Sequence, residues 1–187
     1  MAETSKSKPR RLAEGFFDKY VKGKIIDIGV GRIDTYDGAD PLTDTCDTWD
    51  KDNGDAHFMH GVEDNSYDTV YCSHLIEHLE NPNEALRNWF RILKKGGYLI
   101  IAAPDRDSYE RKKTLPSKWN ADHKFFLTLK ESEPPHTFSL ISIVASALKD
   151  ERYEIAECKT INTCTNMDRP NEHGDGEYQL EVIIKKL

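Results

Sequence analysis

The sequence predicts an α/β protein, a three-layer sandwich around a mostly parallel β-sheet. Three apolar runs of strand length carry this prediction, KIIDI (24–28), YDTVYCS (67–73) and YLIIAAP (98–104), because continuous apolar runs are typical of parallel strands buried on both faces. Two further runs close the chain, YEIAECKTI (153–161) and YQLEVIIKKL (178–187). No helix-like segment separates these last two, so they predict an antiparallel pair at one edge of the sheet.

A short segment precedes the predicted domain. Residues 1–9 are rich in lysine and serine, so we expect a disordered tail there. The chain of 187 residues is long enough for one domain with a substantial core, which we place at residues 10–187. The segment RRLAEGFFDKYV (10–21) has apolar residues at helical spacing and predicts an amphipathic lead-in helix.

Two longer helices are predicted between the strands. In NPNEALRNWFRILKKGG (81–97) the large apolar residues form one stripe, Asn83 can cap the first turn, and Gly96 ends the helix. The same spacing predicts a helix over HTFSLISIVASALKD (136–150). Helices that alternate with strands indicate a layered α/β fold.

Composition argues against several classes of function. The net charge is −7 and no basic stripe interrupts it, whereas nucleic-acid binding depends on neutralised phosphates, so a nucleic-acid partner is not predicted. The apolar runs are too short to span a membrane, and the first residues lack the apolar core of a secretory signal. The four cysteines show no C-x-x-C spacing, which indicates reduced thiols and a cytoplasmic protein.

Glycines follow the first strand, in DIGVG (27–31). Ligands of a parallel α/β sheet bind beyond the carboxyl ends of its strands, and Gly29 and Gly31 let a backbone turn approach a ligand closely. A dinucleotide fingerprint needs a third glycine, but Asp34 stands at that position and would repel a pyrophosphate. S-adenosylmethionine has an adenosine and a positive sulfur but no phosphate, so it avoids this repulsion.

Five segments, in order, carry a family resemblance: DIGVG (27–31), GADP (38–41), GDA (54–56), DNSYDTVYCSHLIEHL (64–79) and LKKGGYLIIAAPD (93–105). The series resembles the class I S-adenosylmethionine-dependent methyltransferases of the small, Rossmann-like, methyltransferase-11 type. Each segment alone is a weak signal, and their order makes the resemblance specific.

The resemblance implies S-adenosylmethionine as the cofactor and suggests roles for individual residues. Asp40 would hold the ribose hydroxyls at the end of the second strand. Asp55 would accept a hydrogen bond from the adenine amine, and Ala56 would line the ring. Ser73 and His74 would lie beside the methionine moiety. The complete predicted set of cofactor-binding residues is Asp27, Gly29, Gly31, Asp40, Asp55, Ala56, Ser73 and His74.

The spacing between the first two of these segments departs from the family. Only eight residues separate Gly31 from Asp40, and a parallel crossover needs a dozen or more. We therefore expect the first crossover helix to be missing or degenerate. Asp40 has an alternative interpretation, in which it only starts the turn before Pro41.

The segment HLIEH (74–78) suggests a different class of protein. H-x-x-E-H on a helix is the signature of the inverted zinc peptidases. A buried strand that fits the methyltransferase pattern precedes it, and no third ligand is evident, so we predict no metal site. In the other alternative, Glu77 and His78 orient the loop through hydrogen bonds.

The chemistry of methyl transfer directs attention to the segment after the third long strand. The sulfonium is already an activated leaving group, so alignment matters most, and a base is needed only for a hydroxyl or a protonated amine. Residues 105–137 form a long irregular segment typical of a lid, and His123 is the candidate general base, with a purely structural role as the alternative.

The resulting hypothesis is S-adenosylmethionine-dependent methyl transfer to a small-molecule or glycan-like acceptor. The alternative is a catalytically inactive, cofactor-binding or regulatory partner module. The sequence makes no prediction of the oligomeric state.

Overall fold

The computed structural model describes residues 3–31, 41–169 and 171–187. Within these ranges the chain forms eight strands and four α-helices, with a 3₁₀ turn at Ile76–His78 and a π-helical turn at Arg106–Glu110. The strands are β1 (Ile25–Ile28), β2 (Asp47–Trp49), β3 (Tyr67–Ser73), β4 (Leu93–Pro104), β5 (Phe126–Thr128), β6 (Thr137–Ser139), β7 (Tyr153–Asn162) and β8 (Tyr178–Lys186). The helices are α1 (Glu3–Ala13), α2 (Phe16–Tyr20), α3 (Pro82–Ile92) and α4 (Leu140–Ala147).

Six strands form the central sheet, in the order β2-β1-β3-β4-β8-β7. β2, β1, β3 and β4 pair in parallel, whereas β8 is antiparallel to both β4 and β7. The predicted antiparallel pair at the C-terminal edge is therefore confirmed. β5 and β6 form a separate parallel pair.

Both faces of the sheet are covered, as the apolar runs predict. Along β4, the side chains of Leu99 and Ile101 pack into the larger core with α3 and α4. Ile100, between them, points to the opposite face and packs with Phe16 of α2. Because successive side chains of a strand alternate between faces, this pattern requires a layer on each side. The predicted α/β sandwich is confirmed.

The prediction of a disordered tail at residues 1–9 is wrong. From Glu3 onward these residues belong to α1, and Arg11, near the end of this helix, is 1% exposed. Its guanidinium donates to Glu181 of β8 and to the hydroxyl of Tyr71 of β3. The segment is polar and has no apolar stripe, so its order comes from these long-range ionic contacts and not from a pattern visible in the sequence.

Helix boundaries also differ from those predicted. α3 is capped by the Asn81 side chain, which accepts from the amide of Glu84, and not by Asn83. It ends at Ile92, and the segment expected as its last turn begins β4 because Leu93 pairs with Tyr67 of β3. α4 is shorter than predicted, since the residues before it pair as β6. No helix in the described ranges is both long enough and apolar enough to cross a membrane.

Candidate active site

A cleft of about 440 Å³ opens at the carboxyl ends of the parallel strands, where a sheet of this topology binds ligands. Its volume lies within the range typical of small-molecule sites. The residues that line it come from the ends of β1 and β2, from the turn after β2 and from the segment after β3. They are Gly29, Trp49, Asp50, Lys51, Gly54, Asp55, Ala56, His57, Leu75 and Leu79.

Gly29 is required where β1 enters this cleft. Its φ of +80° is unfavourable for residues with a side chain, and its amide donates to the carbonyl of Trp49 at 2.7 Å. A Cβ atom at this position would lie 2.7 Å from Cδ2 of Leu75. The glycine thus allows β1, β2 and the segment after β3 to meet at one point.

The structure corrects the position of the second strand. The strand that follows β1 in the chain and pairs with it is Asp47–Trp49, so GADP does not mark the end of the second strand. Asp40 itself lies outside the described residues, as does most of the segment on which the missing-helix prediction rests. The acidic residue directly after β2 is Asp50, and it lines the cleft. β2 is short and none of its residues is buried, which explains why no apolar run indicated it.

Asp55 organises the turn at the far side of the cleft. Its Oδ1 accepts from the backbone amide of His57 at 2.8 Å and pairs with His57 Nδ1 at 2.7 Å. These contacts lower the pKa of the Asp55 carboxyl. The other ring nitrogen, Nε2, accepts from the amide of Asn81 at 3.2 Å, so Nδ1 is the protonated nitrogen and donates to Asp55. Trp89 Nε1 donates to the Ala56 carbonyl at 2.9 Å, which fixes the turn against α3.

Asp27 lies beneath the cleft, not within its described lining. It is 2% exposed, and its Oδ2 accepts from the amide of Leu42 at 2.8 Å. Burial raises the pKa of Asp27 to about 7, although the Leu42 amide and the charge of Arg11 oppose the rise. The Asp27 carboxyl therefore holds Leu42, which follows residues 32–40 in the chain, to β1.

A second polar group of residues, the His–Glu cluster, lies on the segment after β3. We define it as His74, Glu77 and His78 together with His123. His74 has a φ of +51°, an uncommon conformation for a residue with a side chain, and it lies in a bend directly after β3. The amide of Lys124 donates to the carbonyl of Glu77 at 2.9 Å. This bond brings His123 to the cluster from a distant part of the chain.

Glu77 is the centre of the His–Glu cluster. Its carboxylate is buried, and neither oxygen has a hydrogen-bond partner on another described residue. Oε1 lies 3.9 Å from Nδ1 of His74, 3.8 Å from Nε2 of His78 and 3.9 Å from Nε2 of His123. Burial raises the pKa of Glu77 to about 8, against the opposing effect of its own backbone amide. An unpaired buried carboxyl costs stability, so its position calls for a physical explanation.

The remaining nitrogens of two of these histidines meet other carboxylates. Nδ1 of His123 lies 2.6 Å from Oε1 of Glu110, whose other oxygen accepts from the Ser117 hydroxyl at 2.6 Å. Nδ1 of His78 lies 3.1 Å from Oδ2 of Asp122. Because each carboxylate accepts, Nδ1 donates in both rings, and Nε2 of each ring lies within 3.9 Å of Glu77 Oε1.

The helix on which an inverted zinc-peptidase signature depends does not form. Only Ile76–His78 is helical, as a single 3₁₀ turn, and His74 stands before it in the left-handed conformation. The hydrogen-bonding alternative fits better for His78, which contacts Asp122.

The predicted cofactor residues thus separate into groups. Gly29, Asp55 and Ala56 line one cleft, whereas Asp27, Gly31, Ser73 and His74 are not among its described lining residues. Their roles stay predictions. The sequence interpretation missed Asp50, which the pattern of an acidic residue after a strand could have indicated had β2 been located. It also missed Glu110, for which no sequence signal exists.

Comparison with known families gives a match at the site itself. Residues 28–101 match the model of a family described as "Methyltransferase domain". The matched range runs from the end of β1 to the middle of β4, and so includes all the described lining of the cleft. A comparison with curated proteins finds no significant match.

Solved structures share the fold at low sequence identity. A Thermotoga maritima S-adenosylmethionine-dependent methyltransferase, described as a possible histamine N-methyltransferase, is 22% identical, with 99% of this chain and 87% of that chain covered and a TM-score of 0.52. One from Archaeoglobus fulgidus is 19% identical, with 98% and 94% covered and a TM-score of 0.51. A putative methyltransferase from Haloferax volcanii, in complex with the Trm112 activator, is 16% identical, with 98% and 93% covered and a TM-score of 0.55.

The family match, the sheet order and the cleft at the strand ends agree with one another. They support the predicted reaction type, methyl transfer, and the predicted cofactor, S-adenosylmethionine. The protein thus shares its fold with solved S-adenosylmethionine-dependent methyltransferases, and its residues 28–101 match a methyltransferase domain.

Proposed function

We propose that the protein transfers the methyl group of S-adenosylmethionine to a hydroxyl of a small-molecule or glycan-like acceptor. One observation carries this proposal: residues 74–79 contribute to two sites at once. Leu75 and Leu79 line the cleft, whereas His74, Glu77 and His78 belong to the His–Glu cluster. A cofactor in the cleft and an acceptor at the cluster would meet across this segment.

On the cofactor side, Asp50 takes the position that the resemblance assigned to Asp40. It follows β2 directly and lines the cleft, so we infer that its carboxylate accepts from the ribose hydroxyls. Asp55 retains the proposed contact with the adenine amine. Its side chain is 53% exposed, and only one of its oxygens contacts His57, so the other can accept from a ligand.

On the acceptor side, aromatic rings surround the His–Glu cluster. Tyr109 stacks on His123 with centroids 5.6 Å apart, and Tyr178 and His173 pack against Tyr109 at 5.0 and 5.3 Å. Aromatic walls with polar groups between them suit a hydroxylated ring compound, whose faces are apolar and whose edges form hydrogen bonds. The net charge of −7 disfavours a polyanionic acceptor.

The reaction on such an acceptor is an in-line displacement. A lone pair of the hydroxyl oxygen forms the bond to the methyl carbon, the carbon–sulfur bond breaks, and its electron pair stays on sulfur as S-adenosylhomocysteine is formed. The hydroxyl proton leaves in the same process, so a group near the acceptor must lower its pKa or receive the proton. The His–Glu cluster is the place in the described structure where such groups converge.

The proposal can be tested with two measurements on the purified protein. Calorimetry with S-adenosylmethionine and S-adenosylhomocysteine should show binding in the micromolar range, which Asp50→Asn should weaken. Mass spectrometry should then detect S-adenosylhomocysteine that forms only when pools of hydroxylated metabolites or oligosaccharides are added. Product formation with nucleic-acid or protein pools alone would show that the proposed acceptor class is wrong.

We also propose a cytoplasmic location. Cys46, Cys72, Cys158 and Cys164 are free thiols, as is usual for proteins of a reducing compartment.

A further inference from the structure

The His–Glu cluster has the composition of a metal centre. Glu77, His78 and His123 each offer one ligand atom, and these three atoms lie within 4.8 Å of one another. With the two measured distances of 3.8 and 3.9 Å from Glu77 Oε1, a point equidistant from all three atoms lies about 2.5 Å or less from each. Metal–ligand bonds to imidazole and carboxylate are about 2.0–2.2 Å long, so a shift of a few tenths of an ångström suffices.

The surroundings of the two imidazoles favour the same interpretation. A metal-binding histidine usually donates its second ring nitrogen to a carboxylate, which fixes the tautomer and the ring orientation. Here Glu110 holds His123 at 2.6 Å and Asp122 holds His78 at 3.1 Å. Nε2 of each ring is therefore the nitrogen that remains for a metal ion, and it lies within 3.9 Å of Glu77 Oε1.

A second observation is the state of Glu77 itself. Its two oxygens are buried and lack a hydrogen-bond partner on any other described residue, although two imidazole nitrogens lie within 3.9 Å of Oε1. Within a protein this arrangement is unfavourable unless a cation or a proton lies between the groups. A structural histidine pair would instead be expected to donate to such a carboxylate.

We propose that Glu77, His78 and His123 bind one divalent transition-metal ion. Two imidazoles and one carboxylate suit Zn²⁺, Fe²⁺ or Mn²⁺ and leave further coordination positions free. Ca²⁺ and Mg²⁺ prefer all-oxygen sites, and Mg²⁺ keeps most of its waters. The side chain of His78 is 20% exposed and that of His74 16%, so an acceptor can reach the free positions from this side.

The metal site deepens the proposed function, and this part of the inference rests on it. An acceptor hydroxyl bound to the ion has a lowered pKa, so it can lose its proton to water on the open side before or as its oxygen bonds to the methyl carbon. No protein base is then required. The inference departs from the sequence-based expectations of no metal site and of His123 as a general base, since Nε2 of His123 becomes a ligand.

The experiment is a metal titration of the tag-free protein after treatment with a chelator. Calorimetry with ZnCl₂ should give one ion per chain, and Co²⁺ should give the visible absorption of a site with nitrogen ligands. MgCl₂ should bind much more weakly. His78→Ala and His123→Ala should each weaken Zn²⁺ binding by at least about thirtyfold, whereas His60→Ala, an exposed histidine outside the cluster, should leave it unchanged.

A further variant separates ligand loss from unfolding. Asp122→Asn keeps all three ligands and changes a side chain that is 65% exposed, so the fold should persist while Zn²⁺ affinity falls by about tenfold. Absence of Zn²⁺ binding by the parent protein, or binding that neither His78→Ala nor His123→Ala alters, would overturn the inference.

The failure of this inference is distinguishable from failure of the proposed function. Calorimetry with S-adenosylmethionine in the presence of chelator reports the cofactor site alone. Cofactor binding without metal binding would refute the metal site and leave the proposed function standing. Metal binding without methyl transfer to any hydroxylated acceptor would support the site and refute the proposed acceptor.

Discussion

The guanidinium of Arg11 and the carboxylate of Glu181 form a buried ion pair at 2.7 Å, although the two residues lie 170 positions apart in the chain. The same guanidinium donates to the hydroxyl of Tyr71 at 2.8 Å. α1, β3 and β8 therefore meet at one buried charged group, which attaches the N-terminal helix to the face of the sheet.

Substituting Arg11 by methionine should destabilise the fold. Loss of one partner of a buried pair typically costs about 3–5 kcal/mol. Arg10 and Lys159, at 3.3 and 3.5 Å from the other oxygen of Glu181, should offset part of this cost. We expect the free energy of unfolding, measured in urea, to fall by about 2–3 kcal/mol.

The matched control for this change is Arg87→Met. Arg87 pairs with Glu84 on the exposed side of α3, and such a pair contributes at most about 0.5 kcal/mol. Equal losses in the two variants would mean that α1 is not held to the sheet by Arg11.

Gly29 and Gly61 allow the steric and conformational effects of a side chain to be separated. Their φ values are +80° and +84°, but a Cβ atom meets Leu75 at 2.7 Å only at Gly29, with nothing within 4 Å at Gly61. Gly61→Ala should cost about 1 kcal/mol through the backbone alone. Gly29→Ala should cost about 1–2 kcal/mol more and should weaken S-adenosylmethionine binding at least about tenfold. Similar stability and affinity in both variants would show that the Leu75 side chain moves away from the new Cβ atom without loss of stability or of cofactor binding.

Three aspartates test the alignment of the cofactor. Asp55→Asn keeps one acceptor oxygen for His57 but loses the other, so binding of S-adenosylmethionine should weaken by about three- to thirtyfold. Asp50→Asn should weaken it at least as much. Asp52→Asn, at an exposed position between them, should bind like the parent in calorimetry. If all three bind alike, the proposed contacts with adenine and ribose are both wrong.

Asp27 should make stability depend on pH. Burial raises the pKa of Asp27 to about 7, above the unfolded value of about 3.9. Between these values the folded state holds a proton that the unfolded chain has released. The contribution of Asp27 to the free energy of unfolding is therefore lost as pH rises from about 4 to about 7. In the middle of this range the loss is about 1.4 kcal/mol per pH unit.

The comparison with Asp27→Asn isolates this effect, because every other group titrates in both proteins. Chemical denaturation at about pH 5 and about pH 7.5 should show the parent losing more stability than the variant over this interval. A difference between the two proteins that stays constant with pH would contradict a neutral Asp27 in the folded state at low pH.

The sequence predicted those elements whose signal is local. β1, β3, β4 and β8 are runs buried on both faces, so their apolar composition is visible without knowledge of their partners. β2 cannot be recognised in this way, because its residues are exposed or half-buried and only the pairing with β1 makes it a strand. α1 is likewise specified by Arg11 and its distant partner.

The same distinction applies to the site. The turn at Gly29 and the segment around Asp55 could be predicted because backbone conformation and short-range spacing specify them. The proximity of Glu77 and His123 could not be predicted, because it depends on a backbone hydrogen bond between two loops that are far apart in the chain. Glu110 and Asp122 orient the imidazoles, and they can do so only when these two segments lie close together in the folded protein.

The position of β8 between β4 and β7 constrains the order in which the protein can be built during synthesis. β4 and β7 are both made before β8, yet neither pairs with the other. Until residues 178–186 leave the ribosome, β4 has an unpaired apolar edge and α1 lacks Glu181. Early folding is thus confined to the parallel half of the sheet, and until β8 is made the open edge of β4 is a template on which another chain can pair.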